Sequence, residues 1–410
     1  MKKILCMTAL VLISAGCMAQ KSNVRLAENL ALQEKPDFAG ARAAIKEAIE
    51  NEETKGQTKT WYIAGMIGYQ QNAAEYLKMQ QSNGTKGNDY NVRGSAVLES
   101  YKYWIEADKL AMTPVYDKKG KAKYDTGTRK KIAEKMVEYY EHLELVHYAY
   151  NLWEKQDYAK AYEAFNAYIS LPDLDMMQEK RYQERMVRDT TYQDICYNTA
   201  LAAFNAKMYD VAIADFRKLI EKNIKPEKAG QLVYQSYINI NDSAAANAWL
   251  DECINRFSDN IWFIQNLIFN HVNSGRMDEA LVYLDKAIEA EPQPLFLLLK
   301  GSILEMQKRY DEARAVYDEA LKLAPDDADL WYNYGVVYMD MANDLSEKAT
   351  YLSEKEYKMA RVEITEMYKN ALPYFQKAYE LKSDNSMYKH QLRSLYYRLG
   401  MQKEYDELAE

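Results

Sequence analysis

The sequence predicts an all-α protein, an α-solenoid of about seven to eight stacked helix pairs with helical insertions. The first observation is compositional: the 410 residues include only 15 Gly and 8 Pro but 36 Tyr and 19 Met, so helix breakers are few and bulky packing residues are many. The second is internal similarity, because the stretch MDEALVYLDKAIEAEP beginning at Met277 returns as YDEARAVYDEALKLAP beginning at Tyr310. A recurring amphipathic helix is typical of a repeat array, in which neighbouring units bury each other's apolar faces.

The spacing of one small residue sets the length of the repeat. An alanine, replaced once by valine, occupies the same position of each predicted second helix: Ala41, Val97, Ala161, Ala212, Ala246, Ala280, Ala313 and Ala371. From Ala212 to Ala313 the successive spacings are 34, 34 and 33 residues. We therefore predict degenerate, interrupted repeats over 20–190, a regular array over 191–327, and a C-terminal repeat with an extended helical hairpin and capping helices over 328–410.

The copy that begins at Ala328 carries a recognisable set of residues. Trp331, Tyr334, Gly335 and Tyr338 lie on its first helix, and Ala371, Phe375 and Ala378 follow on its second helix after an insertion. This pattern resembles the tetratricopeptide repeat, a helix-turn-helix unit of about 34 residues. The resemblance implies that small residues such as Gly301 mark close helix crossings, that rings such as Tyr317 fill the space between helices, and that stacked first helices form a concave groove.

Four stretches interrupt the regular spacing. The helix that begins near residue 61 is expected to continue to about residue 81, and the charged segment 173–190 is expected to extend the front of the next first helix. Residues 339–370 lack Gly and Pro and predict a long helical hairpin, which is either a docking arm for a partner or a structural extension. Residues 114–124 suit a small β-hairpin with Gly120 at a positive-φ position, or a simple loop.

The N-terminus resembles a secretory leader. Two lysines precede an apolar run and then small residues in MKKILCMTALVLISAGCMAQ, so we expect a signal peptide over 1–19 and a location in the periplasm or cell envelope of a Gram-negative bacterium. The residues SAGC resemble a bacterial lipobox with Cys17 as the lipidated residue, although Ser14 stands where that motif usually has Leu. Secretion after cleavage at Ala19 and outer-membrane lipidation at Cys17 both stay open.

The sequence offers no catalytic chemistry. It has no G-x-S-x-G, H-E-x-x-H or phosphate-binding G-x-x-x-x-G-K-[ST] motif, and His142 and His147 are too far apart around a helix to share a metal. Cys196 and Cys253 fall on apolar repeat positions, which predicts buried free thiols. We therefore expect a protein that is not an enzyme, with no cofactor and no metal. Its formal charge of -8 argues against a nucleic-acid partner.

The tetratricopeptide resemblance places any binding residues on the first helix of each pair. The candidates for a partner-binding groove are Tyr197, Phe204, Trp262, Phe269, Leu298 and Tyr332. The alternative interpretation of these aromatic residues is packing against neighbouring helices. Some family members bind a peptide carboxylate with a clamp of basic residues, but only Lys228 is basic at those positions, so such a clamp is not expected.

Three functions remain open from the sequence. The leading hypothesis is a scaffold that binds a protein or peptide partner. The second hypothesis is glycan binding, because the chain resembles the SusD-like glycan-binding proteins, which are built on similar repeats. The many tyrosines would then stack on sugar rings. Resemblance to repeat-containing lipoproteins of outer-membrane assembly gives a third. Contact with a membrane is expected only if Cys17 is lipidated.

Overall fold

A computed structural model describes residues 22–84, 86–87, 89–257 and 260–408. The expected signal peptide and Cys17 therefore lie outside the described residues. The chain divides into two compact units between Ala246 and Asn247, called here the N-terminal unit and the C-terminal unit. The domain limits predicted at 190/191 and 327/328 stay predictions.

The N-terminal unit is a series of antiparallel helix pairs. Its helices are α1 (22–32), α2 (Phe38–Glu50), α3 (Thr58–Gln81), α4 (Tyr90–Ala111), α5 (Thr126–Glu141), α6 (Glu144–Glu154), α7 (Tyr158–Ser170), α8 (Lys180–Gln183), α9 (Thr190–Asn205), α10 (Tyr209–Glu221) and α11 (Pro226–Asn239). Helix α12 (Ser243–Arg256) contains the division between the units. Helix α3 ends at Gln81, so the prediction of a long helix that continues to about residue 81 is confirmed.

Close helix contact in this unit depends on a glycine opposite a tryptophan. A Cβ atom on Gly65 of α3 would lie 2.3 Å from the Trp104 ring of α4, a distance that no real side chain tolerates. Trp104 is fully buried, and its indole Nε1 donates a hydrogen bond to the Tyr62 carbonyl at 3.1 Å. The missing side chain on Gly65 thus lets α3 and α4 approach closely enough to enclose the indole.

The small β-hairpin is confirmed. Strands β1 (Val115–Tyr116) and β2 (Ala122–Lys123) pair antiparallel, and Gly120 adopts a φ of 73° in the turn between them. The Asp117 side chain fixes this turn by accepting backbone N–H bonds from residues 119 and 121 at 2.8 and 3.0 Å. This short hairpin is the only sheet in the described part of the chain.

The expectation for residues 173–190 is wrong. Instead of lengthening α9, the segment forms two 3₁₀ turns, Leu171–Asp173 and Asp175–Met177, and the four-residue helix α8. Met177 and Tyr182 are buried in the core of this unit, which requires the chain to fold back rather than continue straight. The Asp189 carboxylate then accepts the Tyr192 N–H at 3.0 Å and begins α9 anew as a helix cap.

The C-terminal unit repeats the same arrangement. Its helices are α13 (Ile261–Asn273), α14 (Met277–Ala290), α15 (Pro294–Met306), α16 (Tyr310–Leu323), α17 (Ala328–Ala349), α18 (Glu354–Leu381), α19 (Ser386–Leu399) and α20 (Gln402–Glu407). Helices α17 and α18 pack antiparallel and exceed the ordinary repeat length, so the predicted hairpin is confirmed. Its tip is open to solvent, because every residue from 350 to 359 is exposed.

The repeat register predicted from spacing is confirmed. The alanine position is fully buried in all eight copies, including the copy that carries Val97. A Cβ atom on Gly301 would lie 2.6 Å from the ring of Tyr317, and one on Gly335 would lie 3.0 Å from the ring of Phe375. The small residues and the rings are therefore opposite each other at the helix crossings, as the repeat pattern implies. The chain has an all-α, solenoid fold.

Within the described ranges, no helix combines the length and the apolar character that a membrane span requires.

Candidate binding cleft

An open apolar cleft lies between α13 and α15 of the C-terminal unit, the first helices of two successive pairs. Its volume is about 370 Å³. The residues that line it are Gln265, Asn266, Ile268, Phe269, Val272, Leu295, Leu299, Ser302, Ile303 and Met306. None of them is charged, so the cleft offers apolar surface with three neutral polar side chains.

The cleft exists because α13 has apolar residues on more than one face. Phe263 and Leu267 are buried inside the unit, whereas Phe269 points the other way and is 63% exposed. On α15, Leu295 is 37% exposed and Met306 is 51% exposed. Large apolar side chains that stay in water at neighbouring positions on two helices are typical of a binding surface, since burying them against a partner is favourable.

Local hydrogen bonds hold the two helices that form the cleft. The Asn260 side chain accepts the Trp262 N–H at 3.1 Å and caps α13. Proline at the first position of α15 has the φ angle that a helix start needs. Within the cleft, the Ser302 hydroxyl is hydrogen-bonded to the Tyr317 hydroxyl at 3.1 Å, which ties the α15 side of the cleft to the buried ring on α16.

The sequence candidates of the C-terminal unit occupy different environments. Phe269 lines the cleft, and Leu298 lines an adjacent cleft of about 430 Å³ between α15 and the start of α17. Trp262 is half-buried, with its ring edge-to-face against Phe263 at 5.2 Å between centroids. Tyr332 is half-buried and stacks on Tyr388 at 5.0 Å. The structure thus brings Phe269 and Leu298 to open surfaces, whereas Trp262 and Tyr332 pack against neighbouring rings.

The two candidates of the N-terminal unit also pack against their neighbours. Tyr197 lies edge-to-face with Phe216 at 6.0 Å, and the Lys225 ammonium group lies 4.7 Å from the centre of the Tyr197 ring. Phe204 lies edge-to-face with Tyr209 at 5.6 Å. These contacts are those of helix-to-helix packing.

Of the ten residues that line the cleft, only Phe269 was a candidate from the sequence. Leu299 and Met306 of α15, for example, line the cleft but were not candidates. The available signal was the run PLFLLL at the start of α15, whose leucines exceed what one buried helix face needs.

Two acidic residues, one on α15 and one on α17, form a pair next to the cleft. Glu305, one turn after Ser302, is half-buried and within hydrogen-bonding reach of the Asp340 carboxyl group on α17. Burial, and then the nearby Asp340 charge, raises the pKa of Glu305 to about 8. The sequence analysis did not predict this pair, because the two residues are far apart along the chain.

The histidine and cysteine side chains considered as metal ligands or reactive groups pack against neighbouring residues. His142 stacks on Tyr76 at 6.3 Å, and the His147 ring is 5.4 Å from that of Tyr90. Cys253 is buried as predicted, whereas Cys196 is only half-buried, and burial raises the pKa of the Cys196 thiol. Over the ranges that the structure describes, no three His, Cys, Asp or Glu side chains are grouped as a metal site would require.

Comparison with family models identifies the repeat. Two models described as tetratricopeptide repeat match residues 270–328 and 316–350, which include α15 and the end of α13. These matches identify tetratricopeptide repeats within residues 270–350, and the alanine position is buried in all eight predicted copies.

Similar individual proteins are distant. The AimR transcriptional regulator of Bacillus phage phi3T is 24% identical over 135 residues, which cover 32% of this chain and 35% of that protein, so the chain matches about a third of this curated relative's length. The C-terminal part of a repeat-containing protein from Cytophaga hutchinsonii is 16% identical, with a TM-score of 0.40 over 64% of this chain and 92% of that one. YrrB, whose structure is described as a tetratricopeptide-repeat protein with an unusual peptide-binding site, is 20% identical, with a TM-score of 0.32 over 48% of this chain and 90% of that one.

Proposed function

We propose that this protein is a non-catalytic scaffold that binds a peptide or a segment of another protein in the cleft between α13 and α15. The observation that carries the proposal is the exposure of Phe269, Leu295 and Met306 in one uncharged cleft on the first helices of successive repeats. Stacked repeats form extended concave surfaces, and partners recognise such surfaces through a few apolar anchors.

The size and the lining of the cleft suit the binding of a partner's apolar side chains. A volume of about 370 Å³ accommodates two or three aliphatic or aromatic side chains of a partner. The polar groups of Gln265, Asn266 and Ser302 can give directional hydrogen bonds to the backbone of an extended segment. Affinity would then come from apolar burial, and orientation from the polar side chains.

The test uses peptides selected on the purified protein from a displayed random library. We expect the selected peptides to lose at least about tenfold in affinity for a Phe269→Ser/Leu295→Ser variant, because two exposed anchors are removed from the cleft. The matched control is Val282→Ser/Leu323→Ser, which removes two similarly exposed apolar side chains from the second helices of the same repeats. Equal affinity of both variants for the selected peptides would refute the cleft as the binding site.

The packed aromatic candidates are less suitable for this test. Trp262 and Tyr332 each contact a neighbouring ring, so their removal would weaken the fold as well as any binding surface. Phe269 avoids this ambiguity because most of its surface is open to solvent.

We propose that the scaffold acts in the bacterial cell envelope. The support is the leader-like N-terminus and the lipobox-like residues around Cys17. Metabolic labelling of bacteria with a fatty acid, for the natural chain and for Cys17→Ala, tests the anchored form. Label that depends on Cys17 supports anchoring, whereas absence of label together with recovery in the periplasmic fraction supports secretion after cleavage at Ala19.

A further inference from the structure

Acidic groups lie beside the apolar cleft near both ends of α15. Glu305 lies between Ile303 and Met306, which line the cleft, and is within hydrogen-bonding reach of Asp340. Asp327 and Asp329 line the adjacent cleft, which shares Leu295. No lysine or arginine lines either cleft among the described residues. The ionisable groups that lie beside the apolar anchors are therefore acidic rather than basic.

The acidic groups differ in how they are neutralised. Asp329 is paired with the Lys382 ammonium group at 3.3 Å and accepts the Tyr388 hydroxyl. In contrast, neither Glu305 nor Asp340 has an ion-pair partner within the described part of the chain. The neighbouring Lys308 is held by Asp344, with 2.8 Å between its Nζ and the carboxylate oxygen.

The groups around Glu305 come from three helices. The nearby cation is Lys308, in the turn between α15 and α16, which also attracts Asp340. Helix α16 contributes the hydroxyl groups of Tyr310 and Tyr317, and α17 contributes Tyr332, Asp340 and Asp344. Tyr310 donates its hydroxyl to Asp344 at 2.9 Å, so this tyrosine is already engaged.

Two adjacent carboxyl groups without an ion-pair partner can bind a basic group. They repel each other when both are ionised, and a cation between them removes that repulsion while forming charge-assisted hydrogen bonds. We propose that the partner of this cleft is a peptide segment whose apolar side chains fill the cleft and whose following lysine or arginine binds Glu305 and Asp340. This inference rests on the proposed function of the cleft and specifies the chemistry of its partner.

Helix geometry sets the spacing of such a segment. From Leu299, which lines the cleft, to Glu305 the rise along α15 is about 9 Å. An extended peptide covers this distance with about three residues. The basic residue is therefore expected about three positions from an apolar anchor that contacts Leu299.

The experiment uses three synthetic peptide pools that are identical except at this position. Each pool is acetylated, amidated and fluorescently labelled, carries Leu or Phe at two anchor positions, and has Lys, norleucine or Glu about three residues beyond the second anchor. We expect the Lys pool to bind about tenfold more tightly than the norleucine pool, and the Glu pool to bind most weakly. A Glu305→Gln/Asp340→Asn variant should bind the Lys and norleucine pools equally, with the norleucine affinity unchanged.

The matched control is Glu319→Gln/Asp326→Asn, which removes the same formal charge from exposed positions outside the cleft. This control should keep the preference for Lys.

A second readout is the dependence of affinity on pH. Because Glu305 gains its charge as the pH rises from 6 to 9, the affinity for the Lys pool should rise over this range. In Glu305→Gln the affinity should be independent of pH.

The outcomes separate this inference from the proposed function. If the pools bind without preference for Lys, or if the preference survives in the double variant, the basic partner is refuted and the cleft remains a binding site. If no pool binds at any pH, both are refuted.

Discussion

At the scale of single residues, the acidic pair makes the stability of the C-terminal unit depend on pH. The pKa of Glu305 is raised from 4.5 to about 8, so between these pH values the folded protein holds a proton that the unfolded chain has released. Stability from this group is fully present below about pH 4.5, falls as the pH rises, and is lost above about pH 8.

We expect Glu305→Gln to be more stable than the natural protein at pH 9 and equally stable at pH 4. Glutamine resembles the neutral acid in shape but never acquires the charge that Asp340 repels. The expected gain at pH 9 is about 2–4 °C in melting temperature, measured by circular dichroism at both pH values. The control is Glu319→Gln, an exposed residue on α16 whose substitution should leave the melting temperature unchanged. A gain at pH 4 as large as that at pH 9 would contradict this assignment.

The residue scale also shows what sequence reasoning can and cannot give. The contact between Gly301 and the Tyr317 ring follows from the repeat pattern, because a fixed spacing places a small residue and a ring at the same helix crossing in every copy. The environments of Trp262 and Tyr332 do not follow, since each depends on a ring that the repeat pattern does not specify. The proximity of Glu305 to Asp340 does not follow from the repeat pattern either, because it depends on how α15 and α17 lie beside each other.

At the scale of elements, the interruptions of the repeat divide into predictable and unpredictable cases. The α17–α18 hairpin was predictable because residues 339–370 keep a helical pattern without Gly or Pro. Residues 173–190 have a similar charged composition, yet Met177 and Tyr182 are buried in the core and break the segment into short turns. Tertiary burial thus overrides local helix propensity where a segment has apolar residues to bury.

We expect the tip of the α17–α18 hairpin to be dispensable for the fold. Replacing residues 347–357 with Gly-Asn-Gly removes mostly exposed side chains, while Tyr368 and Phe375 remain packed in the core near α19. The expected loss is about 1 kcal/mol or less, measured by thermal unfolding. The control is Tyr368→Ala, which removes a buried ring and should cost about 3 kcal/mol. A loss in the shortened chain as large as that in Tyr368→Ala would make the tip part of the folding core.

At the scale of the whole molecule, a repeat architecture keeps energetic effects local. Each helix pair buries its apolar surface mainly against its neighbours, so stability is a sum of unit and nearest-neighbour contributions. Ala313 illustrates this within the C-terminal unit: it is fully buried in a cluster formed by residues of α13 to α17. A large charged side chain there would separate these helices and leave a charge without water.

We therefore expect Ala313→Arg to raise hydrogen exchange in α15, α16 and α17 while leaving exchange in α3 to α5 of the N-terminal unit unchanged. The substitution should cost about 3 kcal/mol or more, because arginine both overpacks the site and buries a charge. Mass spectrometry of exchanged peptides measures the effect helix by helix. The matched control is Ala315→Arg, two residues away on the exposed face of α16, which should behave like the natural protein. An equal rise of exchange along the entire described chain would show instead that the array unfolds as one cooperative body, and no change at all would refute the repeat register.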